Sequence, residues 1–322
     1  MMKNFYLLFL ICLCLGCNVE NRDLSYVESN GKIKVLSTTS MIDDIVGRIG
    51  GEEIEHTALI QGDIDPHSYE LVKGDGEKLN RAEVLFFNGL GLEQGASLKR
   101  HFEKHLCAVA LGDWVYAQKK HFFIFVNGQI DPHIWMDIAL FSEIIDPIVQ
   151  TLGAVDPVHA TLFQERGYAL KKEMLAKDHD LYIQMQAVPS NKRFLVTSHD
   201  AFHYFAKKYL AKPEEQDWEK RLIAPEGLAP DGQISIIDIK EVIHFLGVNN
   251  IHVIFPESNI SREALKKIVS ICLQKGLSVT IADRPLLGDT MKGSGTCVNS
   301  YLEMIEYNVH TFIQNLVQDH GY

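Results

Sequence analysis

Two short units carry the residues best suited to chemistry: Ile64-Asp65-Pro66-His67 with Tyr69 two residues on, and Ile130-Asp131-Pro132-His133 with Trp135 two residues on. In each, Pro fixes the backbone and the preceding Asp can accept a hydrogen bond from the imidazole or from nearby backbone, leaving a His nitrogen facing outward. Two neutral imidazoles held this way are half of a metal site; the plainer alternative is a pair of exposed turn histidines. Two further candidates each follow a predicted strand: His199, within Val196-Thr197-Ser198-His199-Asp200-Ala201-Phe202, and an Asp near Leu286-Leu287-Gly288-Asp289. Taken singly, a His after a strand is ordinarily a core or cap residue. Three His and one carboxylate together would close a four-ligand site for a borderline divalent ion, with the Asp neutralising part of its charge.

Other patterns offer less. His199-Asp200-Ala201-Phe202-His203 looks like the HExxH of zinc hydrolases with Asp for Glu, and on a helix His199 and His203 would share one face. Asp is one methylene short of the reach that a general base on metal-bound water needs. A zinc-dependent hydrolase using His199 and His203 is therefore the rival reading, and the expectation for His203 is a solvent-facing ring beside Tyr204. His101 and His105 are four apart but sit on a basic, solvated face, and Asn88 to Glu93 is Gly-rich without GxGxxG spacing.

The elements that must position these residues alternate short β-branched runs with longer amphipathic segments, the signature of parallel sheets covered by helices. Predicted strands are Ile33 to Ser37, His56 to Ile60, Val84 to Phe87 and Cys107 to Leu111, then Phe194 to Thr197, Arg221 to Ala224, Ile251 to Phe255 and Leu277 to Ala282. Between the two sets, residues 156–188 read as one long helix, capped by Asp156-Pro157, stopped by Pro189-Ser190, and carrying a seam of Phe163, Leu170, Met174, Leu181 and Val188. Gly167 weakens that helix by about 1 kcal/mol relative to Ala. The expected fold class is α/β, with two lobes of roughly four parallel strands flanked by helices, at 32–155 and 189–322, joined by the rigid helix 156–188. In such sheets ligands bind beyond the carboxyl ends of the strands, where His199 and Asp289 fall.

The N-terminus stands apart. Lys3, an apolar run from Phe5 to Leu15, and Gly16-Cys17 read as an export signal over 1–17. The run is too short for a membrane span, which needs about 20 apolar residues. Its end resembles a bacterial lipoprotein signal, in which Cys17 would carry the lipid, followed by a polar tether over 18–31; simple signal-peptidase cleavage nearby is the alternative. Beyond the signal, Cys107, Cys272 and Cys297 are an odd set far apart in sequence, read as structural or free. Across 322 residues, 31 Lys+Arg against 42 Asp+Glu gives a net charge of −11, which argues against nucleic acid as a partner. It allows a cation-handling protein.

Taken together the motifs resemble a family, the metal-binding solute receptors of ABC importers for zinc, manganese and iron (cluster A-I). The resemblance covers nearly the whole chain after the signal and rests on Asp65 to Glu70, Asn88 to Glu93, Asp131 to Asp137, Thr197 to Phe202, Ile254 to Glu257, Gly288-Asp289-Thr290 and Tyr301 to Val309. It implies metal ligands His67, His133, His199 and Asp289, bracing by Asp65 and Asp131, and one divalent ion as the transported ligand. It also implies an extracytoplasmic, lipid-anchored monomer that hands the ion to a membrane permease driven by a partner ATPase, without catalysing a reaction. Asp289 is preferred to Asp283 because the family's Asp lies in a Thr-Asp-Ser-like turn. The zinc-devoted members' His-rich loop is missing from Lys119 to Gly128, whereas His199 stands where some manganese-preferring members have Glu; the balance favours zinc or iron over manganese. A lipid-anchored adhesin is the other alternative, since surface binding leaves no motif here.

Overall fold

The computed structural model describes Tyr26 and residues 31–229, 235–291 and 297–317. The expected export signal with Cys17, and nearly all of the polar stretch 18–31, lie outside the described residues.

The first lobe is a four-stranded parallel sheet in the order β2-β1-β3-β4, made of β1 (Ile33–Ser37), β2 (Ile54–Ala58), β3 (Val84–Phe87) and β4 (Ala108–Ala110). Central β1 pairs Val35 with both His56 and Val84, and Val35 and Leu36 are both fully buried, as expected of a strand covered on two faces. The covering helices are α1 (Ser40–Gly50), α2 (Asp75–Arg81), α3 (Ala96–Lys104) and α4 (Leu111–Lys119). Helix α1 shows why: Thr39 caps its start, and Met41, Ile42, Ile45, Val46 and Ile49 fall on one buried stripe. The sequence places β2 two residues late, at His56 to Ile60. The pairing does run on past the strand, since Leu59 and Ile60 donate to the carbonyls of Ser37 and Thr38 at 2.7 and 2.9 Å.

A small antiparallel hairpin, β5 (Phe125–Val126) and β6 (Gln129–Ile130), leads into two helices, α5 (Ile138–Phe141) and α6 (Ile145–Val155). Helix α7 (Ala160–Gln186) follows, 27 residues long. It is shorter than the predicted 156–188 at both ends. Asp156 terminates α6 instead, its N–H donating to Leu152 O at 2.8 Å, and its carboxylate takes the His159 N–H at 3.3 Å ahead of the new start. Val188 of the expected seam lies past the end. The seam itself is buried along Phe163, Leu170, Met174, Leu181 and Met185, with Gly167 and Asp178 completing it. Asp178 is matched by the Tyr209 hydroxyl at 2.9 Å and Lys208 Nζ at 2.7 Å.

The second lobe holds β7 (Leu195–Val196), β8 (Leu222–Ile223), β9 (Val253–Ile254) and β10 (Thr280–Ile281), paired in parallel as β7 with β8 and β9 with β10. Phe255 N donates to Val196 O at 2.8 Å and joins the two pairs. These ladders are shorter than predicted because the strands part after two residues and touch again only as isolated bridges, His199 with Glu226 and Glu257 with Leu286. The remaining helices are α8 (His203–Phe205), which continues as a π-turn over Ala206–Leu210, then α9 (Ile236–Val248), α10 (Glu263–Gln274) and α11 (Tyr301–Val317).

One hydrophobic cluster runs from Val35 in β1 through α7 to Phe255 and Phe312, so the lobes share a core. Gly167 is where α7 meets α6 most closely: a Cβ there would lie 2.6 Å from Val149 Cγ2 and 3.1 Å from Ile145 Cγ2. Helix propensity alone predicts that replacing this glycine stabilises the protein. The packing predicts the reverse for a large residue, and Gly167→Leu is expected to lower the urea unfolding free energy by about 1–3 kcal/mol through overpacking.

Candidate metal centre

His67 lies in the segment between β2 and α2, beyond the carboxyl end of β2. His133 follows the β5–β6 hairpin, His199 follows β7, and Asp289 follows β10. The fold brings these four together, all buried, with one ligand atom from each lying within 4.8 Å of the others. His67 Nε2 is 3.1 Å from His133 Nε2, and Asp289 lies 3.4 Å from His133 Nε2, 3.2 Å from His199 Nε2 and 3.9 Å from His67 Nε2. Bonds of about 2.05 Å in a tetrahedron put ligand atoms about 3.3 Å apart, close to three of these four separations. His199 Nε2 and Asp289 Oδ1 are buried with no hydrogen-bond partner, the condition expected of atoms whose partner is an ion. Asp283, the alternative carboxylate, is exposed.

Both Asp-Pro-His turns form, but their acids work differently. Asp65 accepts from the His67 backbone N–H at 2.8 Å and the Ser68 hydroxyl at 2.7 Å, so it braces the loop and not the ring. Asp131 does both: one oxygen accepts from the His133 N–H at 2.9 Å and from Nδ1–H at 2.7 Å. That bond puts the proton on Nδ1 and leaves the Nε2 lone pair for the site. The two aromatics also diverge. Tyr69 bonds Asp75 away from the cluster, whereas Trp135 Nε1 donates to Gly288 O at 2.8 Å and pins the turn that carries Asp289.

Two residues lie in segments that carried the family resemblance but were given no role there. Glu257, just past β9, sets one carboxylate oxygen 2.8 Å from His199 Nδ1 while the other accepts the N–H groups of Ser198 and His199 at 3.0 and 2.9 Å. Its signals were its place in the Ile254 to Glu257 segment and an acid at the carboxyl end of a strand. Gly288 leaves it room, because a Cβ there would sit 2.4 Å from Glu257 Oε2. Asn308 of α11 clamps Leu287 by bonding both its N–H and its C=O at 2.8 Å, fixing the approach to Asp289.

The electrostatics favour a bound cation. Burial, helped by the neighbouring His133 and His199, pulls His67 down to about 3 against the opposing pull of Asp289, so its ring is neutral. Burial works against the charged forms of Asp289 and His199, but each stabilises the other: Asp289 is held below the ordinary carboxylate range, and His199, between Glu257 and Asp289, well above the ordinary imidazole range. Burial opposes ionisation of Asp131 as well, yet His133 and His203 bring it down to about 2.

The hydrolase pattern does not form. His199 precedes α8 in a β-bridge, so it shares no helical face with His203. Nor does His203 face solvent as expected: its side chain is 12 % exposed, and Nδ1 lies 3.1 Å from Asp131 Oδ2.

Two α/β lobes sharing a core and converging their strand ends on a site sized for one ion define a two-lobed solute-binding protein that takes a metal. Comparison with known proteins makes the family specific. The family model described as zinc-uptake complex component A, periplasmic (ZnuA), matches residues 35–315, and the chain belongs to that family. It is the metal receptor of an ABC importer, acting outside the cytoplasm, and not an enzyme. Metal-binding protein YtgA of Chlamydia pneumoniae is 36 % identical over 312 residues, covering 96 % of this chain and 92 % of that protein. The manganese-binding lipoprotein MntA of Bacillus subtilis (strain 168) is 29 % identical over 313 residues, covering 96 % of this chain and 97 % of that one. The crystal structure of Fe(III)-bound YtgA from Chlamydia trachomatis is similar with a TM-score of 0.82 and 35 % identity, over 88 % of this chain and 97 % of that chain.

Replacing Asn308 with Ala strands the buried Leu287 N–H and C=O. The expected outcome for the metal-free protein is a loss of about 2 kcal/mol in denaturant unfolding.

Proposed function

We propose that His67, His133, His199 and Asp289 hold a single metal ion, which the protein captures between its lobes, about residues 32–155 and 189–322, and delivers as a monomer to a permease and its ATPase. The observation that carries this reading is the convergence of four buried ligand atoms, all within 4.8 Å of one another. Three nitrogens and one oxygen suit zinc or iron ahead of manganese, which binds imidazole more weakly in the affinity series. The chain is held at the membrane by a lipid on Cys17; the Gly16-Cys17 junction after an apolar run supports this.

The deciding experiment is elemental analysis with competitive titration of zinc, manganese and ferrous iron. One equivalent is expected per chain, with zinc or iron outcompeting manganese. His133→Ala is expected to weaken binding by more than about 100-fold, beyond the 10–100-fold seen when only an outer partner of a ligand is lost.

Binding should also release a proton. In the metal-free protein His199 holds its proton well above the usual range, and a metal can bond its Nε2 only after that proton leaves. Raising the pH therefore tightens binding and lowering it weakens binding, by about tenfold per pH unit while one proton is displaced. Calorimetry near pH 7 in two buffers of different ionisation enthalpy should report about one proton released per ion. A heat independent of buffer, with affinity unchanged from pH 8 to 6, would show that His199 is already neutral before the metal arrives.

A further inference from the structure

We propose that His203 is a positioning residue for metal capture, tying the Asp131 carboxylate of the first lobe to the start of α8 in the second and so fixing how His133 presents its Nε2. The idea rests on the reading of His133 as a ligand. Both recorded partners of His203 Nδ1, Asp131 Oδ2 at 3.1 Å and Asp200 O at 3.2 Å, are acceptors, so Nδ1 carries the proton and donates. Asp131 is fully buried and divides its two oxygens: Oδ1 takes both donors of His133, and among the described residues Oδ2 is served by His203. A buried carboxylate with one oxygen left bare is costly and turns to find another donor. Such a turn would break the short bond to His133 Nδ1, which sets that ring's tautomer and orientation.

The geometry separates this task from general support of the loop. The backbone around Asp131 is held independently: the Tyr204 hydroxyl donates to Asp131 O at 3.0 Å, Asn88 Nδ2 to Pro132 O at 3.1 Å, and Trp135 Nε1 to Gly288 O at 2.8 Å. Toward the Asp131 loop His203 reaches only the carboxylate, its other Nδ1 partner being Asp200 O on its own segment, while its ring packs edge-on against Trp218 with centroids 6.2 Å apart. Donor and ring can therefore be removed one at a time.

The test titrates zinc against a chromophoric chelator in four single variants, His203→Ala, His203→Phe, His203→Asn and His133→Ala. Phe keeps the ring without a donor, and Asn keeps a donor near the place of Nδ1 without the ring. Ala and Phe are expected to lose about tenfold in zinc affinity, the low end of the range for losing an outer partner of a ligand, with Asn recovering to within about twofold of the parent. All three His203 variants are expected to remain folded without metal at the titration temperature, checked by their unfolding midpoints, because the loop backbone keeps its own bonds. Parent-like affinity in the Phe variant, or a loss in Asn as large as in Phe, would overturn the proposal. If His133→Ala binds zinc as the parent does, the ligand reading itself fails, an outcome distinct from any shown by His203.

Discussion

Three carboxylates, Asp131, Glu257 and Asp289, lie buried around three buried imidazoles, and everything near them answers to the cost of that charge. A buried anion persists only with a counter-charge or a full set of donors. Asp131 and Glu257 meet this demand with backbone N–H groups and the Nδ1 sides of His133 and His199. Asp289 has fewer protein donors; the Asn259 amide reaches it only at 3.5 Å, and its other oxygen has none. Without metal, the positive charge comes from the proton on His199. A cation bound there would take over that role.

Holding such a site dictates the rest of the architecture. Its parts come from both lobes, so the lobes must be registered against each other to a fraction of an ångström. Helix α7 serves this by packing its buried seam into a core shared by both sheets, with Gly167 admitting α6 closely. Specific bonds cross the cleft as well: Trp135 to Gly288 O, the Tyr301 hydroxyl to Trp135 O at 2.7 Å, and Thr290 to Gly62 O at 2.6 Å. An interface this apolar resists wide separation of the lobes.

Much of the site was legible in the sequence because its signals are local. Pro after Asp fixes a turn within four residues, so His67 and His133 could be named from spacing, and a residue after a parallel strand lies at the ligand edge wherever that sheet sits. Three of the four N-terminal strands and the seam of α7 were equally local, each being a run of apolar residues with its own period. The start of α7 was misplaced because Asp156 satisfies the pattern for a helix start while actually closing α6. The short ladders of the second lobe likewise depend on where neighbouring strands part, which no single strand encodes.

What the sequence determined alone was which residues have the chemistry, two of them in rigid Asp-Pro-His turns and two after strands; a resemblance to known metal receptors supplied the choice of Asp289. Only the tertiary structure decided what each ligand leans on. Asp65 and Asp131 occupy identical tetrapeptides, yet one braces backbone and the other backbone and ring together, because only Asp131 is buried against α8. Glu257 and His203 lie 58 and 70 residues from the ligands they support, His199 and His133 respectively, and no local pattern links such pairs. A covalent neighbour can set a turn, but the partner of a buried charge is set by packing, and packing is written across the whole chain.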